Sequence, residues 1–172
     1  MLTGPYNTST SHYNPEHAIA YMQESVARMR EAGDIMGTGT ALVMLGGLIR
    51  QHRDDRQGRI LLAEGARLCY DVGVKLPLPG HLMKFAELAA EAKEREKDVR
   101  AVRLYAAAEA LLSSMSTDMT AFLSDPIHEQ VITALRARLD ETTFAAAWAE
   151  GKAMTLAEAY ALAWDEGTLS AV

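Results

Sequence analysis

The side chains best suited to chemistry lie scattered along this chain. Its five histidines are His12, His17, His52, His81 and His128, and none stands in an HExxH or other close metal-binding spacing. His12 and His17 are five apart at an expected loop–helix boundary, but no cysteine joins them, so they read as a solvated pair. The single cysteine, Cys69, sits inside an apolar helical pattern and reads as a small hydrophobe. Carboxylates cluster at Asp54/Asp55 and at Glu91/Glu94/Glu96, in charged helix termini rather than in apolar surroundings that would shift a pKa. They read as solvated faces, and His128, following Pro126 in a first helical turn, reads as a surface residue. Ser113, Ser114 and Ser116 have no His–Asp arrangement to activate them. Gly37-Thr38-Gly39-Thr40 and Gly46-Gly47 are too short and too helix-embedded to cradle a phosphate. Gly46 and Gly47 read instead as places where two helices approach closely. No catalytic residue, metal site or cofactor is expected.

The elements that position these residues follow from composition and period. The chain has 172 residues, 49% of them hydrophobic, enough for one domain with a core or a short run of helical repeats. Alanine and leucine dominate while Val, Ile and aromatic residues are sparse, which favours helices. The formal net charge is −6. Nucleic-acid binding usually needs a basic face, and the basic clusters Arg50–Arg59 and Lys93–Arg103 are interleaved with acids, so no direct nucleic-acid contact is expected. No apolar run approaches a membrane span, and the N-terminus MLTGPYNTSTSHYN lacks a signal-peptide layout. With one cysteine and no possible disulfide within the chain, a reducing, cytoplasmic setting is expected.

Sliding the chain against itself by forty residues exposes a repeat. Met22 falls on Leu62, Glu24 on Glu64, Met29 on Cys69, Gly33 on Gly73, Leu42 on Leu82, Leu45 on Phe85 and Leu48 on Leu88. About three extra residues in the charged stretch AEAKEREKDVR, where an added turn would project into water, then bring Leu61 onto Leu104 and Leu68 onto Leu111. The pattern predicts second helices over about 15–32, 56–72 and 97–115 and first helices over about 38–53 and 79–95. Gly33 and Gly73 are expected in the left-handed conformation that closes a helix. A helix pair cannot cover its own apolar face, so neighbours must stack. Leu42, Leu45, Leu48, Leu62, Leu82, Phe85 and Leu88 are therefore expected in the core.

From residue 116 the pattern changes. Asp125 and Pro126 open a helix whose Ile127, Val131, Leu135 and Leu139 step by four along one face. A helix around Glu141–Glu150 is expected to end at Gly151, and Thr155-Leu-Ala-Glu158 is a capping box for a last helix through Trp164. The expected fold is all-α: a tetratricopeptide-like α-α superhelix of antiparallel helix pairs with a C-terminal helical cap. Residues 1–14 form a polar lead-in, 15–115 the repeats of about forty residues, and 116–172 the cap, packed as one domain.

The stretch RAVRLYAAAEAL at 100–111 resembles the "A-A-R-L-L-G-A-A-E-A-L" helix near the end of many large bacterial ATP-binding regulators, LuxR-type or adenylate-cyclase-like. Residues 135–163, LRARLDETTFAAAWAEGKAMTLAEAYALA, look closer still to their terminal motif. The resemblance covers about 97–164, with generic repeat character over 15–96. It implies a superhelix serving sensing or protein contacts. The family's ATPase activity does not carry over, because no GxxxxGK[ST] loop is present, and no helix-turn-helix DNA reader is evident.

These residues point to a non-catalytic protein-interaction or sensory module of a bacterial signalling or transcription regulator. Its groove would be lined by the first helix of each pair, with Thr40, Met44, Arg50, His81 and Lys84 as outward candidates. The alternative is a small effector bound in that groove. A protein partner is expected. Because the repeat begins with a second helix at 15–32, its apolar stripe has an unguarded side, and a homodimer through that helix is a further expectation.

Overall fold

The structure is a computed structural model, and it describes residues 14–115 and 126–164. Among these residues there are eight α-helices and no strand. The all-α expectation therefore holds. Residues 1–13 of the expected 1–14 lead-in, His12 among them, together with Ser116 and the Asp125 cap, lie outside the described residues. The chain divides into two compact units, residues 1–65 and 66–172. The division falls inside the helix Asp55–Asp71.

The first unit holds α1 (Pro15–Glu31), α2 (Ile35–His52) and most of α3 (Asp55–Asp71). Helix α1 starts because the Asn14 side chain accepts from the backbone N–H groups of Glu16 and His17, with Pro15 pre-set in the first turn. It stops at Gly33, whose φ of 69° lets its N–H reach Arg30 C=O while Asp34 N–H reaches Met29 C=O. The same pair of bonds recurs forty residues later. Gly73, at φ 71°, donates to Tyr70 C=O, and Val74 donates to Cys69 C=O. Asp34 in turn caps α2 through Gly37 N–H at 2.8 Å, and Asp54 caps α3 through Gln57 N–H.

Helix α1 lays Ile19 and Val26 against Ala41, Leu42, Leu45 and Ile49 of α2, with Met22, Met29, Leu48 and Leu61 around them. The α1 stripe is thus covered inside its own unit. Fully burying each Leu or Ile of this kind contributes roughly 1.5–3 kcal/mol.

Helix α3 meets α2 backbone to backbone. A Cβ on Gly46 would sit 2.6 Å from Gly58 C=O and 2.7 Å from Leu62 N, and a Cβ on Gly65 would collide with Gly39 C=O. Gly47 faces open space. The two neighbouring glycines therefore separate into a contact residue and a spacer. Gly46→Ala is expected to destabilise by about 1–3 kcal/mol, since backbone cannot yield as a side-chain tip would. Gly47→Ala is expected to stabilise by up to about 1 kcal/mol through helix propensity. Urea denaturation of the two variants checks both signs.

In the second unit α5 (Arg95–Ser114) is the central element. It packs against α4 (Leu78–Glu91), α6 (Pro126–Arg138), α7 (Glu141–Ala153) and α8 (Leu156–Trp164). Its run of buried Ala101, Ala106, Ala107 and Ala108 keeps it thin enough for helices on several sides, with Val102, Leu104 and Leu112 filling the gaps. Gly151 does not end α7, as the sequence reading expected. It sits inside the helix, where a Cβ would strike the Arg103 carbonyl of α5. The capping box is present: Thr155 N–H donates to Glu158 Oε2 at 2.8 Å and Glu158 N–H to Thr155 Oγ1 at 3.2 Å. Tyr160 of α8 is fully buried and its hydroxyl donates to Leu78 C=O at 3.4 Å. Trp164 packs edge-on to Tyr70 and under the Arg67 guanidinium.

Helix α4 ends earlier than the period predicts. Lys93 turns the chain at φ 55°, and α5 starts two residues on. Lys93 is the one non-glycine residue with positive φ among those described. Such a conformation costs a residue with a Cβ about 1–2 kcal/mol.

Candidate functional site

The second unit concentrates its buried polar groups where α6 crosses α4 and α5. Asp98, in the first turn of α5, is buried and accepts two bonds from Arg138 at the end of α6, Nη2 to Oδ1 at 2.6 Å and Nε to Oδ2 at 2.8 Å. Arg138 also donates to Ala90 C=O of α4 at 3.1 Å. One guanidinium thus ties three helices together. The expectation that the charged stretch at 90–100 projects into water fails at Asp98, because the partner that neutralises it lies forty residues further along.

At the other end of α6, His128 is buried rather than on the surface. Its Nδ1 lies 3.3 Å from Glu87 Oε1, within ion-pair range though not aligned as a hydrogen bond, and its ring stands edge-on to Tyr105 at 5.8 Å. Glu87 also receives Lys84 Nζ at 2.8 Å. Burial would raise the Glu87 pKa, but the His128 imidazole and the Lys84 ammonium outweigh it and hold the carboxyl below its usual range. Outside this junction, Asp140 is held far below the carboxylate range by Arg95, reinforced by the Thr143 N–H and hydroxyl.

Between α4 and α6 runs a cleft of about 320 Å3. Its α4 side carries Glu87, Ala90, Glu91 and Lys93, and its α6 side Ile127, Gln130, Val131, Ala134 and Arg138. The four-residue stripe of α6 is therefore split. Leu135 and Leu139 are buried, but Ile127 is 52% exposed and, with Val131, faces the cleft.

The groove candidates fall in different settings. Thr40 is half-buried and Met44 is 60% exposed, both on α2. Arg50 is half-buried and ion-paired to Asp55 at 3.6 Å. Lys84 is engaged with Glu87. His81, expected to point outward, is only 2% exposed, and neither ring nitrogen has a hydrogen-bond partner. The Leu78–Glu91 helix buries Leu78, His81, Leu82, Phe85 and Leu88 together, so its wetter face lies at Lys84 and Glu87.

Burial pushes the His81 imidazole down to about 4, from 6.5 in the unfolded chain. Between those values the unfolded chain takes up a proton that the folded chain refuses. This contribution is therefore absent above pH 6.5 and destabilises progressively as pH falls towards 4. His81→Leu is expected to remove it, flattening the acid limb of the stability curve by roughly 3 kcal/mol at pH 4. Urea midpoints of both proteins from pH 7 to 4 measure the difference, and a parallel decline of the two curves would refute it.

Among the described residues no three His, Cys, Asp or Glu side chains are arranged to hold a metal, and no helix is long and apolar enough to cross a membrane. Cys69 is buried. Ser113 and Ser114 donate to the Glu109 and Leu111 carbonyls of their own helix. Compared with models of known families, with curated proteins and with solved structures, the chain gives no match.

Proposed function

We propose that the chain is a helical-repeat protein-interaction module of tetratricopeptide-like type, serving a bacterial signalling or transcription regulator from the cytoplasm. The observation that carries this reading is the free face of α2. The helix is packed by α1 on one side and notched into α3 through glycines on another. Its remaining face presents Met36, 41% exposed, Thr40, Met44, 60% exposed, and Gly47, with no charged residue from Ile35 to Ile49. A helix core leaves single apolar residues in water routinely, but an uncharged methionine-bearing stripe is suited to a partner's apolar surface. The forty-residue recurrence of the glycine turn and the terminal sequence pattern support the repeat reading.

The test is cross-linking and affinity purification from the native host with wild-type protein and with a Met36→Glu/Met44→Glu variant. One partner recovered by the wild type and lost by an equally stable variant is the expected result. Equal recovery by both, or recovery of nothing above background, would refute it.

A further inference from the structure

The α4–α6 cleft carries a chemistry that the α2 face does not. Its α6 wall is the half of an apolar stripe that the core leaves uncovered, with Ile127, Val131 and Ala134 in line. Its charged groups are mostly committed elsewhere. Arg138 is fixed on Asp98, and Glu87 on Lys84 and His128. Lys93 differs. It lines the cleft, it is exposed, and among the described residues no carboxylate lies within ion-pair distance of its ammonium. It also holds the left-handed conformation that glycine supplies at the ends of α1 and α3. Glycine would sit there with less strain, so a lysine at this position carries a backbone penalty.

We propose that this cleft binds a small organic monocarboxylate with a compact apolar body. The carboxylate sits on Lys93 Nζ, and the hydrocarbon part lies against Ile127, Val131 and Ala134. A volume of about 320 Å3 is at the small end of ligand pockets, which run from about 300 to 1,000 Å3, and suits a small molecule. A neutral hydrocarbon would leave the ammonium unused. A multiply charged anion such as phosphate would find one free cation against an apolar wall and the carboxylates of Glu87 and Glu91. The site is independent of the α2 surface, so a Met36→Glu/Met44→Glu variant that has lost its partner still binds the carboxylate here.

The probe is 3-methylbutanoate, titrated into 15N-labelled protein, with 3-methylbutanol and inorganic phosphate as controls. Saturable shifts at the amides of residues 90–93 and 127–134 are expected with the carboxylate, and markedly weaker binding with the alcohol and phosphate. Lys93→Gly relieves the left-handed strain, so its Tm is expected to rise by a few degrees while the carboxylate affinity falls tenfold or more. Ala134→Phe, which fills the cleft, is expected to abolish binding, and if it does not fold, Lys93→Gln repeats the charge test. No saturable shift up to about 20 mM carboxylate, equal affinity for the alcohol or phosphate, or unchanged affinity in Lys93→Gly overturns the proposal.

Discussion

Truncating Arg138 to alanine is expected to cost about 3–5 kcal/mol, because it strands the Asp98 carboxylate in a nearly dry site. The side chain of Asp98 is 3% exposed and that of Arg138 28%, so some water can follow the vacated guanidinium and the loss falls towards the lower end of that range. The Ala90 carbonyl loses a charged donor in the same step. Removing both charges tells the pair's value apart from the penalty of breaking it. Asp98→Leu combined with Arg138→Met is expected to recover most of the loss, since a buried ion pair is often replaceable by apolar residues of similar volume. Urea unfolding of the wild type, Asp98→Leu, Arg138→Met and the double variant gives the coupling energy. Arg138→Ala within 1 kcal/mol of wild type would show that the clamp on α4, α5 and α6 contributes little.

The other large effect is expected at Phe85, which is 3% exposed among Leu82, Ala86 and Leu88 on the buried face of α4. Phe85→Ala removes a ring from a face packed on α5 and is expected to cost about 3–5 kcal/mol. The helix itself gains slightly from alanine, so the loss reports packing alone. A thermal melt coincident with that of the parent protein would refute it.

The elements were readable because their signals are local. Gly33 and Gly73, Thr155 with Glu158, and the four-residue steps of the apolar stripes each report on a neighbour within one or two turns. Leu42, Leu45, Leu62, Leu82, Phe85 and Leu88 are buried as their period predicts, and Leu48 is half-buried. The junction was not readable, because its partners are distant. Asp98 looks like one more acid in a charged run until Arg138 is placed beside it, and His128 looks solvated until Glu87 is. His81 failed for a related reason. Its helix is buried over a wide arc, so periodicity cannot say on which side a histidine falls. Gly151 read as a stop because glycine ends helices and also lets helices touch. Only the neighbouring Arg103 carbonyl tells the two roles apart.

The notched packing of α2 against α3 has a consequence for tracing this hairpin through evolution. Gly46 faces Gly58 and Gly39 faces Gly65, and in each helix these two contact glycines stand seven residues apart. Apolar neighbours can be exchanged for others of similar bulk while the helix axes stay in place, but a side chain at Gly46, Gly58 or Gly65 would strike backbone of the facing helix and force the axes apart. The spacing Gly-x11-Gly-x6-Gly of residues 46, 58 and 65 is therefore a fingerprint that outlasts the drift of leucines and methionines, and chains that preserve it with little else in common are candidates for shared ancestry with this one.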